Sequence, residues 1–351
     1  MSTGSSPLGR TRRLLVALSL AGAFCGLAFT GAAAAKVPAG QPFVLRAIGD
    51  SVTAGFGYCG LVDPSCRDGR GQPYSLSEQT VCRGGDYDDR CSSNKGDYTA
   101  HLPGTDGVPA ISWAAQFAVR EDIPDFINYA VTGSRPDQWD DNSPPGFYNF
   151  HTLLQDVLDA HPDLTLMTLG ANPVLHEFYS NPRAIACVAL LSISQVKKCA
   201  NRELEKFSSR MHLEHIYERL LTVPTNHVIV LGYHTPHPAV HQVVLGKVIE
   251  FYLPRYAAVQ AIIGEINATV KQAVDAVASK GENRLRIHFV GMDPWPAEEH
   301  QCLDAAHEPW VISWDFCIHP TEAGYRQFVD RLVSFLRDDP AAAGFEPGWV
   351  G

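Results

Sequence analysis

The feature that most constrains the fold is an alternation of short β-type runs with segments of helical periodicity. Apolar or β-branched runs occur at residues 43–48, 126–130, 164–169, 227–231 and 285–290. Helical patterns predict helices at residues 112–118, 151–160, 173–222 and 257–278, and a last helix follows Pro320. Strands that alternate with helices indicate a parallel sheet covered on both faces. The chain is therefore predicted to be an α/β protein.

The N-terminus has the pattern of an export signal. Arg10, Arg12 and Arg13 precede an apolar stretch at residues 14–30, and small residues follow up to Ala35. Cleavage after about Ala35 would leave a secreted domain of residues 36–351. The alternative is an uncleaved anchor, because the apolar stretch approaches bilayer-spanning length. No later stretch is long and apolar enough to span a membrane, so none is expected after cleavage.

Charge and length limit the classes of partner. Removing the signal would leave 25 basic and 38 acidic residues, a net charge of −13. An acidic surface argues against nucleic-acid binding, which requires clustered lysine and arginine. With 45 % hydrophobic residues the chain can build a sizeable core. We expect a single secreted domain that acts as a monomer on a small-molecule or lipid substrate.

The cysteines indicate an oxidising compartment. Eight would remain after signal cleavage, and an even number in an exported chain predicts four disulfides. A zinc site is disfavoured because no Cys-x-x-Cys pair occurs. Residues 56–110 are predicted to be a long loop tied by disulfides. Cys82–Cys91, Cys187–Cys199 and Cys302–Cys317 are the natural short-range pairs, whereas the pairing of Cys59 and Cys66 stays open.

A serine lies where the first strand ends. Gly49-Asp50-Ser51 follows the run at residues 43–48, and open α/β sheets bind ligands at the carboxyl ends of their strands. Gly133 follows the second strand, where a bare backbone N–H can approach a substrate oxygen. Asn172 follows the third strand and carries an amide suited to a developing oxyanion. Ser51 is thus a candidate nucleophile, although each motif alone is weak.

His319 is the candidate base. It lies just before Pro320 and the final helix, in a loop that can face Ser51. A serine nucleophile requires a base within hydrogen-bond reach, and separation in sequence does not prevent this.

Together, Gly49-Asp50-Ser51, Gly133, Gly170-Ala171-Asn172 and His319 resemble the four sequence blocks of the SGNH (GDSL-type) hydrolases. The resemblance spans most of the chain after the signal. It implies a flavodoxin-like three-layer α/β/α sandwich with a five-stranded parallel sheet in the order 2-1-3-4-5. It implies Ser51 as nucleophile, His319 as base, and an oxyanion hole from the Ser51 N–H, the Gly133 N–H and the Asn172 side chain. The cysteine-rich exported form is most similar to extracellular actinobacterial esterases, lipases and phospholipases.

One departure from the family concerns the partner of His319. Many members have an acid three residues before the histidine, where this chain has Phe316, and Asp315 lies one residue earlier. Either Asp315 or the Phe316 carbonyl is predicted to orient the imidazole; the carbonyl would give a dyad rather than a triad.

Other histidines have simpler interpretations. His234, His237 and His241 are predicted to line the substrate cleft rather than to bind metal. His212 and His215 are predicted to lie on a solvated helix face. Asn267 begins a glycosylation sequon that we expect to remain unmodified.

The predicted function is hydrolysis of carboxylic esters without a cofactor. Residues 134–150 and 232–256 are predicted to be loops, the second made irregular by Pro236 and Pro238. Apolar side chains in these loops form either an acyl-binding wall or ordinary loop packing; they are Pro144, Pro145, Phe147, Tyr148, Phe150, Phe251, Tyr252 and Leu253. Two alternatives stay open: a polysaccharide deacetylase, and a non-catalytic secreted binding protein on the same scaffold.

Overall fold

The computed structural model describes residues 43–55, 112–143, 149–235, 239–244, 247–252, 256–292, 319–320 and 322–338. The predicted signal at residues 1–35 and the predicted loop at residues 56–110 lie outside these ranges. Six of the eight cysteines expected in the secreted chain also lie outside them: Cys59, Cys66, Cys82, Cys91, Cys302 and Cys317.

A five-stranded parallel sheet forms the centre of the fold. The strands are β1 (Val44–Gly49), β2 (Asp125–Asn128), β3 (Leu164–Thr168), β4 (His227–Leu231) and β7 (Ile287–Val290). Their spatial order is β2-β1-β3-β4-β7, which is the predicted order 2-1-3-4-5 of the sheet strands along the chain. Every residue of β3 and β4 is buried, so helices cover both faces of the sheet. The predicted α/β sandwich is therefore confirmed.

The described helices lie between these strands and after the last of them; the predicted helices are present, and two short ones, Ser51–Ala54 and Pro136–Trp139, were not predicted. They are α1 (Ser51–Ala54), α2 (Trp113–Arg120), α3 (Pro136–Trp139), α4 (His151–Asp159), α5 (Asn172–Ser180), α6 (Pro182–Leu190), α7 (Ile193–Lys206), α8 (Ser209–Leu220), α9 (Tyr256–Ala278) and α10 (Glu322–Asp338).

Local sequence explains where helix α2 begins and what it buries. The Ser112 hydroxyl accepts a hydrogen bond from the Ala115 N–H at 3.2 Å, which caps the helix. Trp113 and Phe117 lie one turn apart and are fully buried. The Trp113 ring also stacks on Phe328 of α10, with 6.5 Å between ring centroids. Helices α2 and α10 thus pack together in one layer against the sheet.

The structure corrects the prediction of an irregular loop at residues 232–256. Strands β5 (Ala239–Val244) and β6 (Lys247–Tyr252) pair antiparallel as a separate two-stranded sheet. Together the two strands are rich in valine, isoleucine and aromatic residues, and the two residues Leu245 and Gly246 separate them in sequence, which is a hairpin pattern. Pro236 and Pro238, which precede β5 in the sequence, are the residues that favour a loop there.

A disulfide joins Cys187 of α6 to Cys199 of α7, one of the three short-range pairs named from the sequence. It ties together the helical excursion that follows β3. Among the residues that the structure describes, no helix combines the length and apolar character needed to cross a membrane.

Candidate active site

Ser51 is presented by a tight turn between β1 and α1. Gly49 has φ +139°, and a Cβ at this position would lie 2.3 Å from the Thr168 carbonyl oxygen. Only glycine fits this approach of β1 to β3. Asp50 caps α1 by accepting a hydrogen bond from the Val52 N–H at 3.1 Å. The turn therefore fixes Ser51 at the first position of the helix, at the carboxyl end of the inner strand β1.

Neighbouring strand ends hold this turn in place. The Gly49 carbonyl accepts hydrogen bonds from the Val131 N–H at 2.9 Å and from the Ser134 hydroxyl at 3.0 Å. The Asn128 amide donates to the Thr53 carbonyl at 2.8 Å. Segments after β1 and β2 thus form one hydrogen-bonded unit beneath Ser51.

His319 meets Ser51 although 268 residues separate them in sequence. Its Nε2 lies 2.7 Å from the Ser51 Oγ, a hydrogen-bond distance. The serine is 7 % exposed and the histidine half-buried. A neutral imidazole in this place can accept the serine proton.

Asn172 lies beside the pair, whereas Gly133 is not among the residues that line the cleft. Asn172 begins α5 and lines the same cleft as Ser51 and His319. Its side-chain amide donates to the Ser134 carbonyl at 2.8 Å, which fixes the amide plane while a second N–H remains. Gly133 has φ +80°, a backbone conformation that favours glycine, and a Cβ at this position would lie 3.8 Å from His176 Nε2.

A buried tyrosine links the Asp50 turn to the Asn172 segment. The Tyr233 hydroxyl donates to Asp50 Oδ2 at 2.5 Å and accepts from the Ala171 N–H at 3.0 Å. Asn267 of α9 holds the tyrosine backbone at both ends, accepting from its N–H and donating to its carbonyl, each at 2.8 Å. The positions of Ser51 and Asn172 are therefore coupled through one phenol.

Asp50 is a buried carboxyl whose acidity is altered. Burial raises its pKa from 3.8 to about 6, although the Tyr233 hydroxyl, the Val52 N–H and the charge of His319 each act to lower it. Burial likewise raises the pKa of the Tyr233 phenol well above its ordinary value, so this group stays protonated and donates.

The cleft has a polar end and an apolar side. Ser51, His319 and Asn172 form the polar end, with His234 nearby. The apolar side chains come from α1, α5 and α9; they are Val52, Leu175, Val259 and Ile263.

The acyl wall considered from the sequence is only partly within the described residues. Phe150 is 5 % exposed and packs on Trp139, with 5.2 Å between ring centroids, so it belongs to the core. Residues 144–148 and Leu253 lie outside the described ranges, and the side chains of Phe251 and Tyr252 are not described. The apolar residues that do line the cleft come from helices.

Several other sequence predictions need correction or completion. His234 lines the cleft and is 3 % exposed, with its ring edge against Phe328. His237 and the side chain of His241 lie outside the described part, as do Asp315 and Phe316. Asn267 uses its side-chain amide to hold Tyr233, which opposes glycosylation there.

His212 and His215 are not on a solvated face. Both point at the buried carboxyl of Asp140, and His212 is only 13 % exposed. The prediction failed because the sequence does not show which segment covers this face of α8.

Sequence reasoning also missed the roles of Asp50 and Tyr233. The sequence offered one signal for Tyr233, its position directly after the fourth strand of the sheet, where ligand-binding residues collect.

An α/β sandwich with a serine and a histidine in contact at the carboxyl end of an inner parallel strand has the architecture of a hydrolase. Residues 45–332 match the family described as GDSL-like Lipase/Acylhydrolase. The chain belongs to this family. No curated protein sequence matches the chain.

Solved structures similar to this chain share low sequence identity with it. An extracellular lipase from Streptomyces rimosus is 17 % identical, with 83 % of this chain and 99 % of that chain covered and a TM-score of 0.48. Phospholipase A1 from Streptomyces albidoflavus NA297 is 15 % identical, with 84 % and 99 % covered and a TM-score of 0.45. A family 3 carbohydrate esterase from Clostridium thermocellum is 15 % identical, with 87 % and 100 % covered and a TM-score of 0.41.

Proposed function

We propose that the protein is a secreted serine esterase that hydrolyses carboxylic esters. The observation that carries this proposal is the 2.7 Å contact between Ser51 Oγ and His319 Nε2 at the end of a cleft with an apolar side. Nucleophile and base within hydrogen-bond reach are what acyl transfer requires.

In this mechanism Ser51 attacks the ester carbonyl while His319 takes the hydroxyl proton. The proton then passes from His319 to the departing alcohol oxygen, which leaves an acyl group on Ser51. A water molecule, deprotonated by His319, attacks the acyl carbon and releases the acid. The sequence of steps uses no cofactor.

The developing oxyanion would be held by three donors: the Ser51 N–H, the Gly133 N–H and the Asn172 amide. The anchored plane of the Asn172 amide supports this role, because a donor already in place requires no reorganisation during the reaction. One such donor typically contributes about 3 kcal/mol to the transition state.

His319 itself is proposed to be oriented mainly by the Phe316 carbonyl, with a small contribution from Asp315. An acid at the family position would place a full negative charge beside the imidazole. Here Asp315 is one residue off, which in an extended segment directs its side chain to the opposite side.

The lining of the cleft supports a proposal for the substrate class. Its apolar side, formed by Leu175, Val259 and Ile263 among others, suits an aliphatic acyl chain better than a sugar ring. We therefore propose acyl esters, including lipids, as substrates.

The test is a panel of p-nitrophenyl esters of increasing chain length, with a phospholipid and an acetylated sugar alongside. The wild type should prefer an aliphatic acyl group, and Ser51→Ala and His319→Ala, shown to be folded by circular dichroism, should lose activity. Preference for the acetylated sugar would indicate a deacetylase. A folded wild type no more active than Ser51→Ala would indicate a binding protein.

Secretion is proposed from the signal-like N-terminus, and the Cys187–Cys199 disulfide supports it. Expression of the full chain in a secreting bacterial host should release protein whose N-terminus begins after about Ala35. Retention of the intact N-terminus in the membrane fraction would show that the segment is an anchor.

A further inference from the structure

A carboxylate and two imidazoles meet away from the cleft, where the segment after α3 packs against α8. Asp140 Oδ2 lies 2.6 Å from His212 Nδ1 and 3.0 Å from His215 Nδ1. The two histidines are three residues apart on α8 and therefore share a face. One donor atom from each of the three residues lies within 4.8 Å of the others.

The backbone orients this carboxylate. The Asn142 N–H donates to Asp140 Oδ1 at 2.9 Å, which leaves Oδ2 directed at the histidines. The Asp140 side chain is fully buried, whereas His215 is 35 % exposed. In metal sites, a ligating carboxylate is commonly fixed by a hydrogen bond to its other oxygen, as the Asn142 N–H does here for Asp140. The partly exposed His215 leaves the cluster open to solvent on one side.

The geometry points to a binding site for one divalent transition-metal ion of the zinc type, with Asp140, His212 and His215 as ligands. Two imidazole nitrogens and one carboxylate oxygen suit zinc, cobalt, nickel or copper, whereas calcium and magnesium prefer oxygen ligands. Three protein ligands leave a fourth position for water or for the Ser143 hydroxyl, which lies 3.3 Å from His212 Nδ1.

The distances allow an ion to enter with small movements. Tetrahedral zinc with bonds of about 2.1 Å separates its ligand atoms by about 3.4 Å. The observed contacts of 2.6 and 3.0 Å are shorter than this ligand separation by about 0.8 and 0.4 Å. The His215 side chain is 35 % exposed, so its ring can move outward on the side of the solvent.

The ion would stabilise structure rather than take part in ester cleavage. None of the three ligands lines the cleft that contains Ser51. Trp139, the residue directly before Asp140, donates from its Nε1 to the Ser134 hydroxyl at 3.0 Å. The Ser134 carbonyl in turn accepts a hydrogen bond from the Asn172 amide. Metal binding would therefore fix the segment that supports Asn172.

The experiment uses the secreted chain without a histidine tag, stripped with a chelator and then dialysed. Zinc sulfate is titrated by calorimetry at neutral pH, and cobalt binding is followed by visible absorption, which reports imidazole-containing tetrahedral sites. His215→Gln is the main variant, because its partly exposed side chain makes loss of folding least expected. His212→Gln and Asp140→Asn follow.

His161→Asn is the matched control. It also removes one imidazole, but from an exposed position outside the cluster. His161 has φ +48°, a conformation that asparagine tolerates. Other histidines of the chain are unchanged in every variant, so adventitious binding by them appears equally in all titrations.

We expect one zinc equivalent per chain, weakened at least about tenfold by His215→Gln and unchanged by His161→Asn. Zinc should also raise the melting temperature of the wild type but not of His215→Gln. Two results would overturn the site: no zinc binding by the wild type, or binding and cobalt absorption that His215→Gln leaves intact. In either case the cluster is a hydrogen-bonded carboxylate only.

Discussion

Replacement of Asp50 by asparagine should remove a specific dependence of stability on pH. Burial raises the pKa of this carboxyl from 3.8 to about 6. The folded protein therefore binds a proton at Asp50 between about pH 4 and pH 6 that the unfolded chain has already released. Over that interval the Asp50 contribution to stability falls as pH rises, because a buried carboxyl must ionise.

The size of the effect follows from the two pKa values. Each pH unit of difference corresponds to about 1.36 kcal/mol, so the change from 3.8 to about 6 is worth about 3 kcal/mol. The contribution is fully present below about pH 4 and lost above about pH 6. Asparagine does not titrate, so the free energy of unfolding of wild type minus variant should fall by about 3 kcal/mol between pH 4 and pH 7.

The assay is urea unfolding of both proteins at half-unit pH steps, followed by tryptophan fluorescence. Asp275→Asn is the control, since that side chain is 59 % exposed and forms its ion pair with Lys271 on the same helix. A difference between wild type and Asp50→Asn that stays constant, or increases, across the interval would refute the reasoning.

Three further substitutions test the supports of the site. Gly49→Ala would bring a Cβ within 2.3 Å of the Thr168 carbonyl, so it should lower the free energy of unfolding by about 3 kcal/mol or more, measured with urea. Gly264→Ala is the control, because open space surrounds Gly264 in α9, and it should stabilise the protein by about 0.5–1 kcal/mol. Equal effects of the two substitutions would contradict the role of Gly49. Tyr233→Phe strands Asp50 Oδ2 and the Ala171 N–H, so it should destabilise by about 1–3 kcal/mol and lower kcat more than it changes KM. An effect on KM alone would argue against the positioning role. Asp315→Asn should keep most ester turnover, since loss of a true triad acid costs about 10⁴; a decrease close to that of His319→Ala would make Asp315 a triad member.

The order of elements could be predicted from sequence because each element is encoded locally. β3 and β4 are continuous apolar or β-branched runs, and α4 has leucines and valine at helical spacing. The parallel pairing then follows from the alternation. The β5–β6 hairpin was missed because two prolines precede it, although the β-branched and aromatic residues of its strands were visible.

The site was predictable to the extent that strand ends define it. Ser51 and Asn172 each follow a predicted strand, His319 precedes the predicted last helix, and the carboxyl ends of parallel strands meet at one edge. The Tyr233–Asp50 contact was not predictable, because it joins residues 183 positions apart and depends on strand register. The same holds for Asp140 beside His212 and His215, where only the three-residue spacing on α8 was visible.

The central claim, that Ser51 is a nucleophile activated by His319, is tested most directly by covalent labelling. The folded secreted chain is incubated with a fluorophosphonate and examined by intact mass and peptide mapping. We expect one probe per chain, attached at Ser51, with no labelling of Ser51→Ala and labelling slowed by several orders of magnitude in His319→Ala. An unlabelled wild type, or equal labelling of wild type and Ser51→Ala, would contradict the account.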